Sequence, residues 1–388
     1  MTEVAIVQTS SRNREAGLEL GQQIRAQLSG VPDALIVFAA AHNEYVELLK
    51  ALAESTGTRT IVGCSSSGEF TDDGSGLGLV NVTAIRASEM QFSATVGTGL
   101  AADPKGAAHG IASKFRRRDN STFPFAAALV LLDALAGHSE ELVDALTVET
   151  AGTYRFFGGG AGDDARFQKT HVFCGTEVFT DAAVALEIIS KKPVGIGARH
   201  GWKPSSQGFR VTEAESSRVI SLNAAPAVDA FEDHALATSQ QFDQTDPLPF
   251  FLHNIVGIDT EEGHKLRVPL GIAEGGGVVC AAEIPAGAAT HIMSATAGSA
   301  AEAAAEATRD AIDQVTREGG TPKAALFFDC VATRLRLGKS FDKELEAVSA
   351  ELGGIPFAGF NSHGQIVRAD GQFSGFHNCT AVVCVLPD

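Results

Sequence analysis

Short apolar runs of strand type recur along the chain, and each leads into a segment with apolar residues at helical spacing. Ala34–Phe38 (ALIVF), Ala127–Leu131 (AALVL) and Ala324–Phe328 (AALFF) are the three clearest runs. Helices are predicted after them from Tyr45, Leu48, Leu49 and Leu52, from Leu142, Leu146 and Val148, and from Phe341, Leu345, Val348 and Leu352. After each helix comes a second short strand ending on glycine: Thr60–Gly63, Arg155–Gly158 and Pro356–Gly359. A small or polar loop follows, then strands at Leu79–Ile85, at Val172–Ile188 with a break at Gly175, and at Gly375–Leu386.

The three loops align. Gly63-Cys-Ser-Ser-Ser-Gly-Glu69 matches Gly359-Phe-Asn-Ser-His-Gly-Gln365 at both glycines and in length, and Gly158-Gly-Gly-Ala-Gly-Asp-Asp164 is a looser third copy. Upstream, Phe92–Thr98 and its helix resemble Ile292–Gly298 and the alanine-rich helix from Ser299 to Arg317. The predicted fold is α/β, with mixed sheets built from duplicated β-α-β-α-β-loop-β-β units and internal pseudo-symmetry. Pro193–Ile284 fills the remaining slot as a diverged copy. Repeats near ninety residues are too long for a solenoid unit. Pro204, Pro226, Pro247 and Pro249 mark a stretch of different character, and the boundary is placed there, giving domains 1–222 and 223–388.

Composition narrows the function classes. The 388 residues exceed one ordinary core, and 44% hydrophobic with 20% charged residues is ordinary for a globular protein. Thirty basic against forty-seven acidic residues give a formal charge of −17, which disfavours nucleic acid and anionic lipid as partners. The one basic run, Lys114, Arg116, Arg117 and Arg118, falls where a helix ends and complements its dipole. The N-terminus enters a strand pattern without a basic-then-apolar leader, and Phe125–Leu132 is far below a membrane span, so a cytoplasmic location is expected. Six scattered cysteines without CxxC argue against a disulfide framework or a zinc site, and no metal site is expected.

The loop Gly63–Glu69 is the leading ligand candidate, because consecutive Ser65, Ser66 and Ser67 offer hydroxyls and amides to a polar head group; a self-satisfied serine turn is the alternative. Gly158–Asp163 resembles a phosphate loop, but Asp163 and Asp164 follow where a helix should start. Gly195-Ile-Gly-Ala-Arg-His-Gly201 resembles a dinucleotide fingerprint with the wrong spacing. No Gly-x-Ser-x-Gly is present; Cys330, His363 and Glu69 are a trio available to a cysteine- or serine-dependent hydrolase or transferase. His377-Asn-Cys379 sets two metal-type ligands on one face of a strand. Arg334 stands just past a strand end, suited either to a ligand carboxylate or to a salt bridge with Asp329. A haem needs only one axial histidine, and His200, His253, His363 and His377 are the candidates.

At these residues the sequence resembles the FIST (F-box and intracellular signal transduction) family over nearly its whole length. The N-terminal part matches through Gly63–Glu69, Gly158–Asp163 and Arg210–Glu215 with Val219 and Pro226. The C-terminal part matches through Asp329–Gly338, Gly359–Gln365 and His377–Thr380. The resemblance implies a sensory module, not an enzyme, that binds an amino acid or related metabolite and acts on a separate histidine kinase or cyclic-di-GMP enzyme. Its alternative is a nitric-oxide sensor with haem b as cofactor. The ligand-binding residues implied are Cys64, Ser65, Ser66, Glu69, Gly160, Asp163, Cys330, Arg334, Phe360, Asn361 and His363. His363 and Gln365 stand where an aromatic and an acidic residue are common in the family. No output domain is recognised, so any signal is expected to pass through a separate protein.

Overall fold

The computed structural model describes residues 1–116, 122–369 and 374–388; Arg117 and Arg118 of the basic run lie outside the described residues. Among the described residues the strands form three six-stranded sheets and one nine-stranded sheet. The mixed α/β class read from the sequence is therefore the class observed.

The three smaller sheets share one order. The first runs Thr2–Thr9, Val80–Ala87, Ala34–Ala40, Ile61–Ser66, Val172–Cys174, Glu177–Phe179. The second runs Met90–Thr98, Ala182–Ser190, Phe125–Leu132, Arg155–Gly160, Gln365–Arg368, Gly375–His377. The third runs Gly195–Arg199, Ala381–Pro387, Pro322–Cys330, Phe357–Ser362, Glu69–Thr71, Gly74–Gly76. In each, the third and fourth strands are the parallel pair, joined by a helical crossover, and the other neighbours are antiparallel. The last hairpin of every sheet comes from a different stretch of chain. Residues 69–76 leave the first sheet to complete the third, 172–179 leave the second to complete the first, and 365–377 leave the third to complete the second.

Each sheet carries helices on its outer face, over cores built on Leu20 and Leu49, on Ile111 and Leu146, and on Val315 and Val348. The inner faces meet in a shared core containing Phe38, Phe157, Phe328 and Phe360. The central strands are covered on both sides, which is why Ala34–Ala40 reads as an unbroken apolar run. Most predicted helix positions are buried, but Val148 is 78% exposed, because it lies at the end of Ser139–Glu149, past the turn that meets the sheet.

The third unit is interrupted, which corrects the repeat alignment. Its first strand is Gly195–Arg199, and its helix, Ala297–Arg317, begins almost a hundred residues later behind a Thr296/Ser299 capping box. Ile292 lies in the nine-stranded sheet and is not the counterpart of Phe92. Nor is Pro193–Ile284 a diverged copy of the unit, because residues 203–294 form a separate sheet around Phe231, Phe250 and Phe251. The glycines that resembled a dinucleotide fingerprint let a helix approach the strand. A Cβ at Gly197 would collide with the carbonyl oxygen of Ala307, as one at Gly97 would with that of Ala107. The inserted sheet is tied back by Glu140, which meets Lys265 Nζ at 2.6 Å and the buried Arg267 at 3.1 Å.

Replacing Gly197 with alanine is expected to cost about 3 kcal/mol in urea unfolding, since only backbone movement relieves the collision. Gly271→Ala, whose Cβ would meet nothing within 4 Å, is the matched control with little change.

Candidate functional site

The loops after the parallel strands meet where the three sheets converge, and they pair through their backbones. Ser67 N donates to Asn361 O (3.0 Å) and Asn361 N to Gly68 O (2.8 Å). Gly162 N donates to Ser65 O (2.7 Å) and Asp164 N to Ser66 O (3.2 Å). Gly160 N donates to Gly364 O (2.8 Å) and His363 N to Gly160 O (3.0 Å). The sequence alignment of these loops thus marks segments that touch.

Registry makes Glu69 and Gln365 counterparts. Glu69 accepts from the Ser66 hydroxyl and from Leu79 N (2.9 Å), tying the loop to the start of the next strand. Gln365 does the same, donating to Ser362 Oγ (2.8 Å) and accepting from Thr380 N (3.2 Å). Glu69 is fully buried, and burial pushes its carboxyl up to about 7, with the nearby Asp164 adding to the rise. Asp163 differs. Its oxygens take the N–H groups of Arg166, Phe167, Gln168 and Lys169, so the loop that resembled a phosphate cradle spends these amides on its own carboxylate.

Ser67, His363 and Asp163 form a buried set, but not a relay. Ser67 Oγ accepts from Asp163 N (3.1 Å) and Ala165 N (3.2 Å), which leaves its proton for His363 Nε2 at 3.2 Å. Asp163 Oδ1 approaches the same Nε2 (3.5 Å), whereas His363 Nδ1 has no hydrogen-bond partner among the described residues. A catalytic base has its orienting carboxylate on the nitrogen away from the nucleophile. Burial holds the imidazole down at about 4, hence neutral, and it stacks on Phe167 at 4.7 Å.

Beside this junction lies a cleft of about 390 Å³, lined by Glu69, Leu77, Arg334, Leu335, Lys339 and Asn361 among others. Asn361 is 1% exposed, yet its Nδ2 has no partner among the described residues; the same holds for Arg334 Nε. Both lie against Gly68, at a φ of +131° that favours glycine, where a Cβ would sit 2.8 Å from Asn361 Oδ1 and 3.4 Å from Arg334 Nε. Unpaired buried donors are costly, and two on one cleft suit an anionic acceptor.

The structure therefore brings Glu69, Arg334 and Asn361 together, with Ser66 one bond behind. Ser65 is spent on His171, its Oγ accepting from His171 N at 2.9 Å. Cys64 and Phe360 do not reach the cleft. Both belong to the shared core, where Phe360 stacks on Phe38 at 4.4 Å. Gly160, Asp163 and His363 belong to the adjoining loop junction. Cys330 and His363 share a separate pocket of about 60 Å³ with Phe167 and Leu270, away from Glu69, so the trio does not assemble around one space. That volume holds about two waters, far below the roughly 300 Å³ at which ligand pockets begin. His200 Nε2 donates to the His264 carbonyl at 3.0 Å, His253 is exposed, and His377 is fully buried with its imidazole held neutral by burial. His377 and Cys379 diverge. The strand ends at His377, Cys379 turns to a φ of +48°, and its thiol meets that of Cys330.

Arg334 makes no salt bridge with Asp329. Asp329 is held instead in a buried carboxyl pair with Glu344, near Arg336. Burial raises both, and Asp329, pushed to about 6, shares a proton with Glu344. The Arg336 guanidinium lies 4.8 Å over the Trp202 ring. Sequence reasoning missed this pair because Glu344 comes from a helix whose apolar face alone was read. It also missed the cleft residues Leu77 and Lys339.

Known proteins agree on the family and say little more. The FIST N domain model matches residues 33–225 and the FIST C domain model residues 227–368. Uncharacterized proteins from two strains of Mycobacterium tuberculosis are each 24% identical over 405 residues, spanning 98% of this chain and 98% of theirs. Among solved structures, cyanuric acid hydrolase from A. caulinodans aligns over 100% of this chain and 99% of its own with 7% identity and a TM-score of 0.35. PurLQS from Thermotoga maritima aligns over 100% and 72% with 11% identity and a TM-score of 0.25.

Because Gln365 shows that an amide can replace a carboxyl at this strut, Glu69→Gln is expected to fold. Glu69 has a folded pKa above its unfolded value of 4.5, so wild type is fully stabilised below that and loses ground as pH rises to about 7. Thermal unfolding of wild type minus E69Q across about pH 4 to 8 checks this. A difference that stays flat counts against it.

Proposed function

This chain belongs to the FIST family, whose domains are associated with small-ligand-binding signal transduction, and we propose that it binds a carboxylate-bearing metabolite in the Glu69–Arg334–Asn361 cleft. The observation that supports this most is a pair of buried donors without a partner among the described residues, Asn361 Nδ2 and Arg334 Nε, in two residues that line a cleft large enough for an amino acid or a close relative. A carboxylate takes both donors, with Lys339 at the rim. Glu69 and Asp342 also line the cleft and offer carboxyls to an ammonium group, which makes an amino acid the best-fitting class.

The bound state acts through the loops. The Asn361 backbone accepts from Ser67 N and donates to Gly68 O across the junction, so a ligand that grips Asn361 loads two sheets at once. The helix Val331–Leu337 carries Arg334 on one side of the cleft and exposes Leu335, 42% accessible, to a partner. A ligand with different affinity for two loop arrangements shifts their populations, and a separate cytoplasmic signalling protein, such as a histidine kinase, reads the shift. Among the described residues no helix is long and apolar enough to cross a membrane.

Freshly purified protein is expected to show an extra small mass in native but not denaturing mass spectrometry, without a haem Soret band. Calorimetry with a panel of amino acids should give a hit that Arg334→Met and Asn361→Ala each weaken at least tenfold, about 1.4 kcal/mol. A Soret band, or a hit untouched by both substitutions, would place the ligand elsewhere.

A further inference from the structure

The inserted nine-stranded sheet presents a second constellation, remote in the chain from the cleft residues. Asp259 and His264 are direct cross-strand partners on Ile255–Thr260 and Gly263–Arg267, and His291 on Ala289–Ser294 stands opposite Gly257. Residues 257 and 259 project from the same face, because strand side chains alternate. The pleat therefore sets three side chains from three adjacent strands on one face of a rigid sheet.

Their polar atoms converge. Asp259 Oδ1 lies 2.9 Å from His291 Nδ1 and 3.4 Å from His264 Nε2, and one ligand atom from each residue falls within 4.8 Å of the others. A cation bound at about 2.1 Å by three such atoms in tetrahedral array holds them about 3.4 Å apart. The imidazoles cross edge to face with centroids 5.9 Å apart, so their nitrogens aim inward without the rings stacking. Side-chain exposures of 38%, 26% and 23% leave one side open to solvent for a fourth ligand.

We propose that Asp259, His264 and His291 bind one divalent transition cation of the zinc class, with an open fourth position. Two imidazoles and one carboxylate are a donor set for such a cation and too few oxygens for calcium or magnesium. Glu261 and Glu262, exposed in the turn between the strands, add negative potential beside the entrance. Lys265, next along the strand, projects to the other face and is held by Glu140, so it places no cation among the three ligands. As a plain ion-pair cluster the trio would contribute little, since exposed pairs are worth about 0–1 kcal/mol.

The site sits on a strap. The carbonyl of His264 meets His200 Nε2 at 3.0 Å, and the neighbouring Lys265 and Arg267 grip Glu140 of the second sheet's helix. Occupancy joins three strands of the insert at the point where it is fastened to the rest of the chain, so the cation stiffens that fastening.

Tag-free, chelator-treated protein is titrated with Zn²⁺ by calorimetry and with Co²⁺ by visible absorption. One site per chain is expected, with intense tetrahedral-type cobalt bands, a rise of several degrees in Tm with zinc, and at least a tenfold loss of affinity in His264→Gln and in His291→Gln. No saturable uptake by the wild type, or undiminished uptake by the double variant, overturns the proposal. A second measurement uses the unmutated chain: zinc should shield His264 and His291, but not exposed His253, from diethyl pyrocarbonate. Equal modification with and without zinc also overturns it.

Discussion

The constraint on which this structure depends is the pairing of backbone groups where three sheets converge out of reach of water. The strands ending at Ser66, Gly160 and Ser362 all run into that region, and each carries N–H and C=O groups that no single sheet satisfies. A buried amide without a partner costs about 1–3 kcal/mol. The loops resolve this by bonding to each other in pairs, first to third, first to second and second to third. Such close backbone approach favours small residues. A Cβ at Gly162 would crowd the Ser67 backbone N (2.6 Å), and Gly364, at a φ of +116°, lies against the Phe376 ring. The Gly- and Ser-rich composition of the loops is thus first a packing solution, and the ligand cleft opens at its margin.

The same arrangement explains why polar side chains at the centre divide into struts and free ends. Glu69, Gln365 and Asp163 each anchor their loop to the segment that follows, with all or most of their acceptors spent. Arg334 and Asn361 keep donors unspent where the cleft begins. A protein made only of struts would need no such pair. In the Asp329–Glu344 pair and the Cys330–Cys379 contact the side chains bond to each other, and Asp329, Glu344 and Cys379 line a pocket other than the cleft.

Much of the architecture was legible in the sequence because local periodicity reports which face is buried. The runs at residues 34, 127 and 324 proved to be the central strands of the three sheets, and the alignment of the loops marked segments that meet. What was not legible depends on partners distant in the chain. Gly195 and Gly197 resemble a ligand motif until the helix carrying Ala307 and Ala311 is seen against them, and that helix lies behind the whole inserted sheet. At the site, Arg334 and Asn361 were reachable from strand ends and loop alignment. The placement of Phe360 follows from the alternation rule. Gly359 and Asn361 share one face of their strand, so Phe360 projects from the other, into the core against Phe38.

The exchange of hairpins among the sheets has a consequence for how the chain is made. The edge hairpin at 69–76 emerges early from the ribosome, yet its sheet gains its central strands only when residues 322–330, 357–362 and 381–387 have followed. Until then those early residues expose unpaired edges, and the second sheet likewise waits for residues 365–377. Loop closure over nearly three hundred residues makes the last steps slow and the nascent chain a natural client for holding chaperones. The strand 381–387 docks between Gly195–Arg199 and Pro322–Cys330, so translation that stops just short of it leaves Gly195–Arg199 detached from the rest of its sheet.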